Sequence, residues 1–145
     1  MIRYGPPERV YVENDWYDGP REGIADINGV PHRFKSLFDD DEGRYLDTFL
    51  VWPVDKQVLE LEIEQWGIFV EWNVLYRSGK AATETHPGHG GRNARWDELE
   101  ALLDQSRTAV PVQAKRAVAQ LVAIHREMQY GPSGPSYMLS WKLLD

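Results

Sequence analysis

The sequence predicts an α+β fold: a small antiparallel sheet of three to five strands, an N-terminal hairpin meander, covered on one face by three helices. Two observations lead there. Asn28-Gly29 lies between Ile27 and Val30, a strong signal for a two-residue hairpin, because a type I′ turn needs positive φ at both central residues. Strand-like segments fill the chain up to Pro53, and helical apolar spacing follows from Asp55 onward. The expected divisions of this one domain are a sheet part over about 8–53, a helical part over about 55–129 and an apolar tail over 130–145.

Taken in order, Val10–Glu13 reads as a short strand. A two-residue turn then pairs Ile27 with Val30, Ala25 with His32 and Gly23 with Phe34 on one face of the hairpin. The other face pairs Glu22 with Lys35, Ile24 with Arg33 and Asp26 with Pro31. Glu22–Lys35 is an opposite-charge cross-strand pair, worth roughly 0.2–1 kcal/mol, and supports this register. The first face is expected to pack on the helices, with His32 and Phe34 beneath them. Asp39-Asp40-Asp41-Glu42-Gly43 is an acidic turn, and Tyr45–Trp52 returns as a third strand ended by Pro53.

Asp55 is a good N-cap for a helix running to about Arg77, with Gly79 just past its end. Residues 80–94 form a loop. A second helix spans roughly Trp96–Arg107, with Trp96, Leu99, Leu102 and Leu103 as its core stripe. Pro111 suits the first turn of a third helix, reaching about Gln129 and carrying Ala114, Ala117, Leu121, Ile124 and Met128 at helical spacing. Gly131–Pro135 breaks it. The tail Tyr137–Leu144 is too apolar for water and adds a strand or lies across the domain.

Composition bounds the function. A chain of 145 residues buries roughly 70% of its unfolded surface. The net charge of −7 argues against nucleic acid, which selects a basic footprint, and against anionic membranes. It favours a basic protein partner. With no Cys there is no disulfide, zinc–thiolate site or cysteine nucleophile, which fits a reducing cytoplasm. The N-terminus lacks the apolar segment of a signal peptide, and no apolar run approaches ~18 residues. No cofactor motif is present.

Four places can carry chemistry. Glu62 falls opposite the solvent stripe of Glu60, Glu64 and Glu71, in the arc of Val58, Trp66, Phe69, Asn73 and Tyr76. A carboxylate there needs a partner or a raised pKa; it is either a ligand-binding acid/base group or a structural Glu bonded to Arg, Tyr or backbone. His32, on the hairpin face expected to meet this helix, can approach Glu62 as an oriented imidazole or simply pack as a core His. The loop Thr85-His86-Pro87-Gly88-His89-Gly90-Gly91-Arg92 is long for a helix connection, and its glycines allow close backbone approach to a ligand. His86, His89 and Glu84 are weak metal candidates, since the spacing is not that of a helical His-Glu-x-x-His; Arg92 could meet an anion. The loop is expected at the mouth of whatever cleft exists, with His86 or His89 pointing in. Finally, Trp16 and Asp18 in Asp15–Arg21 can bind a cation or a partner, or merely form a turn.

Two functions follow. The first is a non-enzymatic protein-binding module, of the adaptor or immunity type that masks a basic partner. The second is a small-molecule or metal site, hydrolytic in one version, built from Glu62, His32 and the His86/His89 loop.

Overall fold

A computed structural model describes residues 2–144. Strands β1 (Glu8–Trp16), β2 (Pro20–Ile27), β3 (Val30–Asp39) and β4 (Arg44–Pro53) form an antiparallel meander. Helices α1 (Lys56–Arg77) and α2 (Ala94–Thr108) follow, separated by two 3₁₀ turns at 83–85 and 87–89. The chain then returns to the sheet as β5 (Lys115–Ala123). A small hairpin of β6 (Tyr130–Gly131) and β7 (Gly134–Pro135) precedes β8 (Tyr137–Leu143). The order β1-β2-β3-β4-β5-β8 closes into a barrel, with β8 antiparallel to both β5 and β1.

This corrects the α+β expectation: the architecture is a closed six-stranded barrel with two helices against its outside, not an open sheet under three helices. The segment expected as a third helix is strand β5. Pro111 begins no helix; its carbonyl accepts from Ala114 N at 3.1 Å in a tight turn. Apolar residues three and four apart there imitate a helix stripe, but pairing with β4 and β8 overrides it. The apolar tail is the strand that completes the barrel.

The hairpin register is the one the turn chemistry dictates, Ile27 opposite Val30 through Glu22 opposite Lys35. Asn28 and Gly29 both have positive φ, 54° and 76°. Glu8 secures this turn from β1, its carboxylate accepting from Asn28 N and Gly29 N. The face assignment, however, is inverted. Ala25, Ile27 and Phe34 point into the barrel lumen with Val10, Phe49, Val51, Leu139 and Trp141. Ile24 instead joins Val12, Trp66 and Val70 beneath α1. Both faces of β2 are covered, one by the lumen and one by helix, so adjacent Ile24 and Ala25 are both fully buried. A simple in/out alternation cannot tell which cover is which.

Helix α1 has the bounds its cap signals indicate. Asp55 accepts from Val58 N at 2.8 Å, and Lys80 N closes back to Leu75 O past Gly79. Asp55→Ala should cost about 1 kcal/mol in urea unfolding by orphaning that first-turn amide; an unchanged midpoint would show the cap to be dispensable. Glu62, Gln65, Trp66 and Val70 form its buried face, while Glu60, Glu64 and Glu71 are exposed. On α2, capped by Asn93, Leu99 and Leu103 are buried but Leu102 is 56% exposed, so the core stripe is narrower than its apolar spacing suggests. No helix among the described residues is long and apolar enough to cross a membrane.

Candidate functional site

Between α1, α2 and the end of β1 lies an open cleft of about 380 Å³. Its floor is an ion-pair network centred on Glu62. The Glu62 carboxylate, 1% exposed, accepts from Arg107 Nη2 at 2.6 Å and Nε at 3.0 Å. Arg33 Nη2 lies 2.9 Å from Oε2, the oxygen that also accepts from Arg107 Nε, and Asn14 Nδ2 donates to Oε1 at 3.2 Å. Arg107 also reaches Gln65 and Glu100, and Arg33 reaches Ser106. One carboxylate thus ties β1, β3, α1 and α2 together.

Burial alone would raise the Glu62 carboxyl, but the hydrogen bonds and charges of Arg107 and Arg33 outweigh it and hold it below the usual carboxylate range. Its bonds to two Arg are those of the structural alternative. The partner is Arg33 rather than His32. A single step along β3 decides this, because Arg33 shares the helix-covered face with Ile24. His32 falls by alternation on the side of Phe34, where its Nδ1–H donates to Val30 O at 2.7 Å. It does not line the cleft.

Above this floor the walls are aromatic: Trp16, Trp66, Phe69, Trp96 and Tyr130. Trp66 is anchored by Nε1–H to Gly131 O at 2.8 Å and packs against Phe69 and Tyr130. His86 completes the wall. Its ring meets Trp72 edge-on at 4.7 Å and Phe69 at 5.9 Å, and its Nδ1 accepts from Gly88 N. Burial and the neighbouring His89 lower its pKa, so it adds little positive charge at neutral pH. Trp72 Nε1–H to Thr85 Oγ1 at 3.0 Å pins this loop to α1.

The remaining polar lining is acidic. Glu13, Asp15, Glu22 and Glu100 join Glu62, against Arg107 as the cleft's one lining guanidinium among the described residues. Bulges in β1 create this arrangement. Register shifts after Val10, after Glu13 and after Asp15 set Asp15 directly opposite Glu22, a like-charge pair that costs energy when left alone. Glu13 sits beside them, accepting from Tyr137 Oη at 2.8 Å. Burial is the main reason its carboxyl is raised above the ordinary range, and Asp15 adds to it; the Tyr137 and Tyr130 hydroxyls only partly compensate. Burial and Glu13 together push Tyr130 up to about 12.

The sequence candidates are therefore split. Trp16, Glu62, Trp66 and His86 meet at the cleft; His32, Asp18, His89 and Arg92 do not line it. Asp18 turns the chain between β1 and β2 with φ 54°, and His89, Glu84 and Arg92 are exposed on the connecting segment. Among the described residues no three His, Asp or Glu side chains converge as a metal site. Sequence reasoning missed Glu13, Asn14, Gln65, Trp96, Glu100, Arg107 and Tyr130. Only Gln65 carried a signal, one turn from Glu62 on the same helix. The β1 residues depend on bulges, and Tyr130 on a return of the chain from outside the helical part. Compared with known proteins, the chain matches no family, no curated protein and no solved structure.

Proposed function

We propose that this chain is a non-catalytic binding module whose cleft receives a positively charged organic group, an ammonium or guanidinium. The observation that carries this reading is the pairing of aromatic walls with Glu13, Asp15 and Glu22 on adjacent strands. A cation over an aromatic face gains about 0.5–2 kcal/mol, more as water is excluded. Here it would add to Lys35, whose Nζ lies 3.7 Å from Glu22, in offsetting the repulsion between Asp15 and Glu22. Binding is favoured over hydrolysis because Glu62, the carboxylate best placed for acid/base work, is already held by two guanidiniums.

Trp16, Trp66 and Trp96 make the cleft its own reporter. Argininamide should change tryptophan fluorescence saturably with a Kd on the order of 1 mM, and citrulline amide, its neutral isostere, should not. Glu13→Gln or Asp15→Asn should weaken argininamide about tenfold, a loss of about 1.4 kcal/mol. Because the Glu13 carboxyl is raised, affinity should fall as the pH is lowered into its titration range and the charge is lost. Equal binding of the neutral isostere would end the cation reading.

A further inference from the structure

At the barrel end beside the cleft, side chains from the β1–β2 turn and from the paired ends of β3 and β4 form a row of exposed aromatic rings. Tyr17 is 68% exposed and Phe38 49%. Tyr45 lies between them, its ring 6.0 Å from Tyr17 and 5.0 Å from Phe38. A groove of about 570 Å³ runs along this row, with Asp18 and Asp47 in its walls. The acidic turn Asp39–Glu42 stands next to it.

The basic residues here are engaged within the chain. Arg21 donates to the Tyr17 and Asp18 carbonyls and lies over the Tyr45 ring at 4.8 Å, while Arg44 pairs with Glu42. Among the described residues Asp18, Asp40, Asp41 and Asp47 have no ion-pair partner. The row is also continuous with the cleft. Tyr45 Oη donates to Asp15 at 3.3 Å, and Asp15 lines the cleft from the other side. Trp16, which lines the cleft, directly precedes Tyr17.

We propose that this aromatic row and the cleft together dock one basic segment of a protein partner. One cationic side chain enters the cleft; its neighbours lay their stems on Tyr17 and Phe38 and their charges on Asp18, Asp40, Asp41 and Asp47. The chemistry is that of Arg and Lys, whose long stems cover apolar surface while the head stays with acid and water. Arg21 on Tyr45 shows within this molecule that the rings accept a guanidinium. This inference rests on the cation reading of the cleft and adds that the cation belongs to a protein rather than to a free amine.

The probe is a peptide of repeated Arg-Gly-Ser triplets, about a dozen residues long and able to span roughly 40 Å when extended. At about 150 mM salt, where loose surface attraction is screened, it should bind about 100-fold more tightly than argininamide, because row and cleft are engaged together. The Tyr17→Ser, Phe38→Ser double variant should remove at least about tenfold of that gain and leave argininamide binding unchanged. Retained argininamide binding also shows that the variant is folded. Asp40→Asn, Asp41→Asn, which keeps every ring, should weaken the peptide in the same selective way. A peptide no tighter than argininamide overturns the proposal and makes the occupant a free organic cation. Equal peptide affinity in both double variants overturns it as well. If argininamide fails to bind while the peptide binds through the row, the cleft reading falls and the row stands alone.

Discussion

Replacing Glu62 by Gln should lower the unfolding free energy by about 3–5 kcal/mol, the cost of leaving buried charge without its counter-charge. Arg33 and Arg107 both lose a carboxylate, and the amide nitrogen brings a donor toward two groups that are donors only. Arg33 has the least recourse: it is 2% exposed, and its Nε already lacks a partner. Urea unfolding at neutral pH measures the effect, with Glu60→Gln and Glu71→Gln as exposed controls expected to stay within about 0.5 kcal/mol. The pH dependence has a definite sign. Because the folded-state pKa of Glu62 is lowered, its contribution is present above the ordinary carboxylate range and is lost as pH falls through the folded value. The gap between wild type and variant should therefore narrow in acid. A gap that widens in acid, or is absent at neutral pH, would show that the network is not formed.

Phe34→Ala should cost a similar amount, about 3–5 kcal/mol, through a different mechanism. Phe34 is fully buried at the centre of the lumen, in contact with Phe49 and Trp141 at ring separations of 5.7 Å. Its ring also fills the space above Gly23, its cross-strand partner, where an added Cβ would come within 2.8 Å of Phe34 Cζ and 2.3 Å of Val12 O. Neither neighbour can move in to fill the void, since the strands behind them are fixed by pairing on both sides. Against a typical total stability of about 5–15 kcal/mol, such a loss is a large fraction. Thermal unfolding followed by far-UV and near-UV circular dichroism reads both stability and aromatic packing. A cost below about 1.5 kcal/mol would mean that the lumen collapses around the smaller side chain, as a loosely packed core can.

Features set by neighbours in the chain were legible in the sequence. The Asn28-Gly29 turn dictates the β2–β3 register, Asp55 and Gly79 bound α1, and helical spacing buries Glu62 while exposing Glu60, Glu64 and Glu71. Features that depend on distant partners were not. Strand β5 pairs with β4 and β8, and nothing local to Ala117–Ala123 distinguishes that fate from a helix. Bulges in β1 place Val10 in the lumen and Val12 beneath α1, although regular alternation puts both on one face. The same bulges bring Asp15 opposite Glu22, so the acidic side of the cleft was hidden with them. The error over His32 is the smallest in distance: correct register, inverted face, and Arg33 in its place.

The closing of β8 onto β1 has a further consequence for how anything can attach to this sheet. An open sheet ends in strands whose unpaired N–H and C=O groups recruit other chains, either as partners laid alongside or as the first step of aggregation. Here those positions on β1 and β8 are joined at Glu8–Leu139 and Arg9–Met138, and Gly5 N continues the cover by donating to Trp141 O. At these paired positions a partner is therefore denied backbone-to-backbone recognition and must read side chains. Such recognition is more easily altered by single substitutions, because no generic main-chain contribution stands behind it. Closure of the β1–β8 seam thus removes one sheet edge at which copies of the chain could pair.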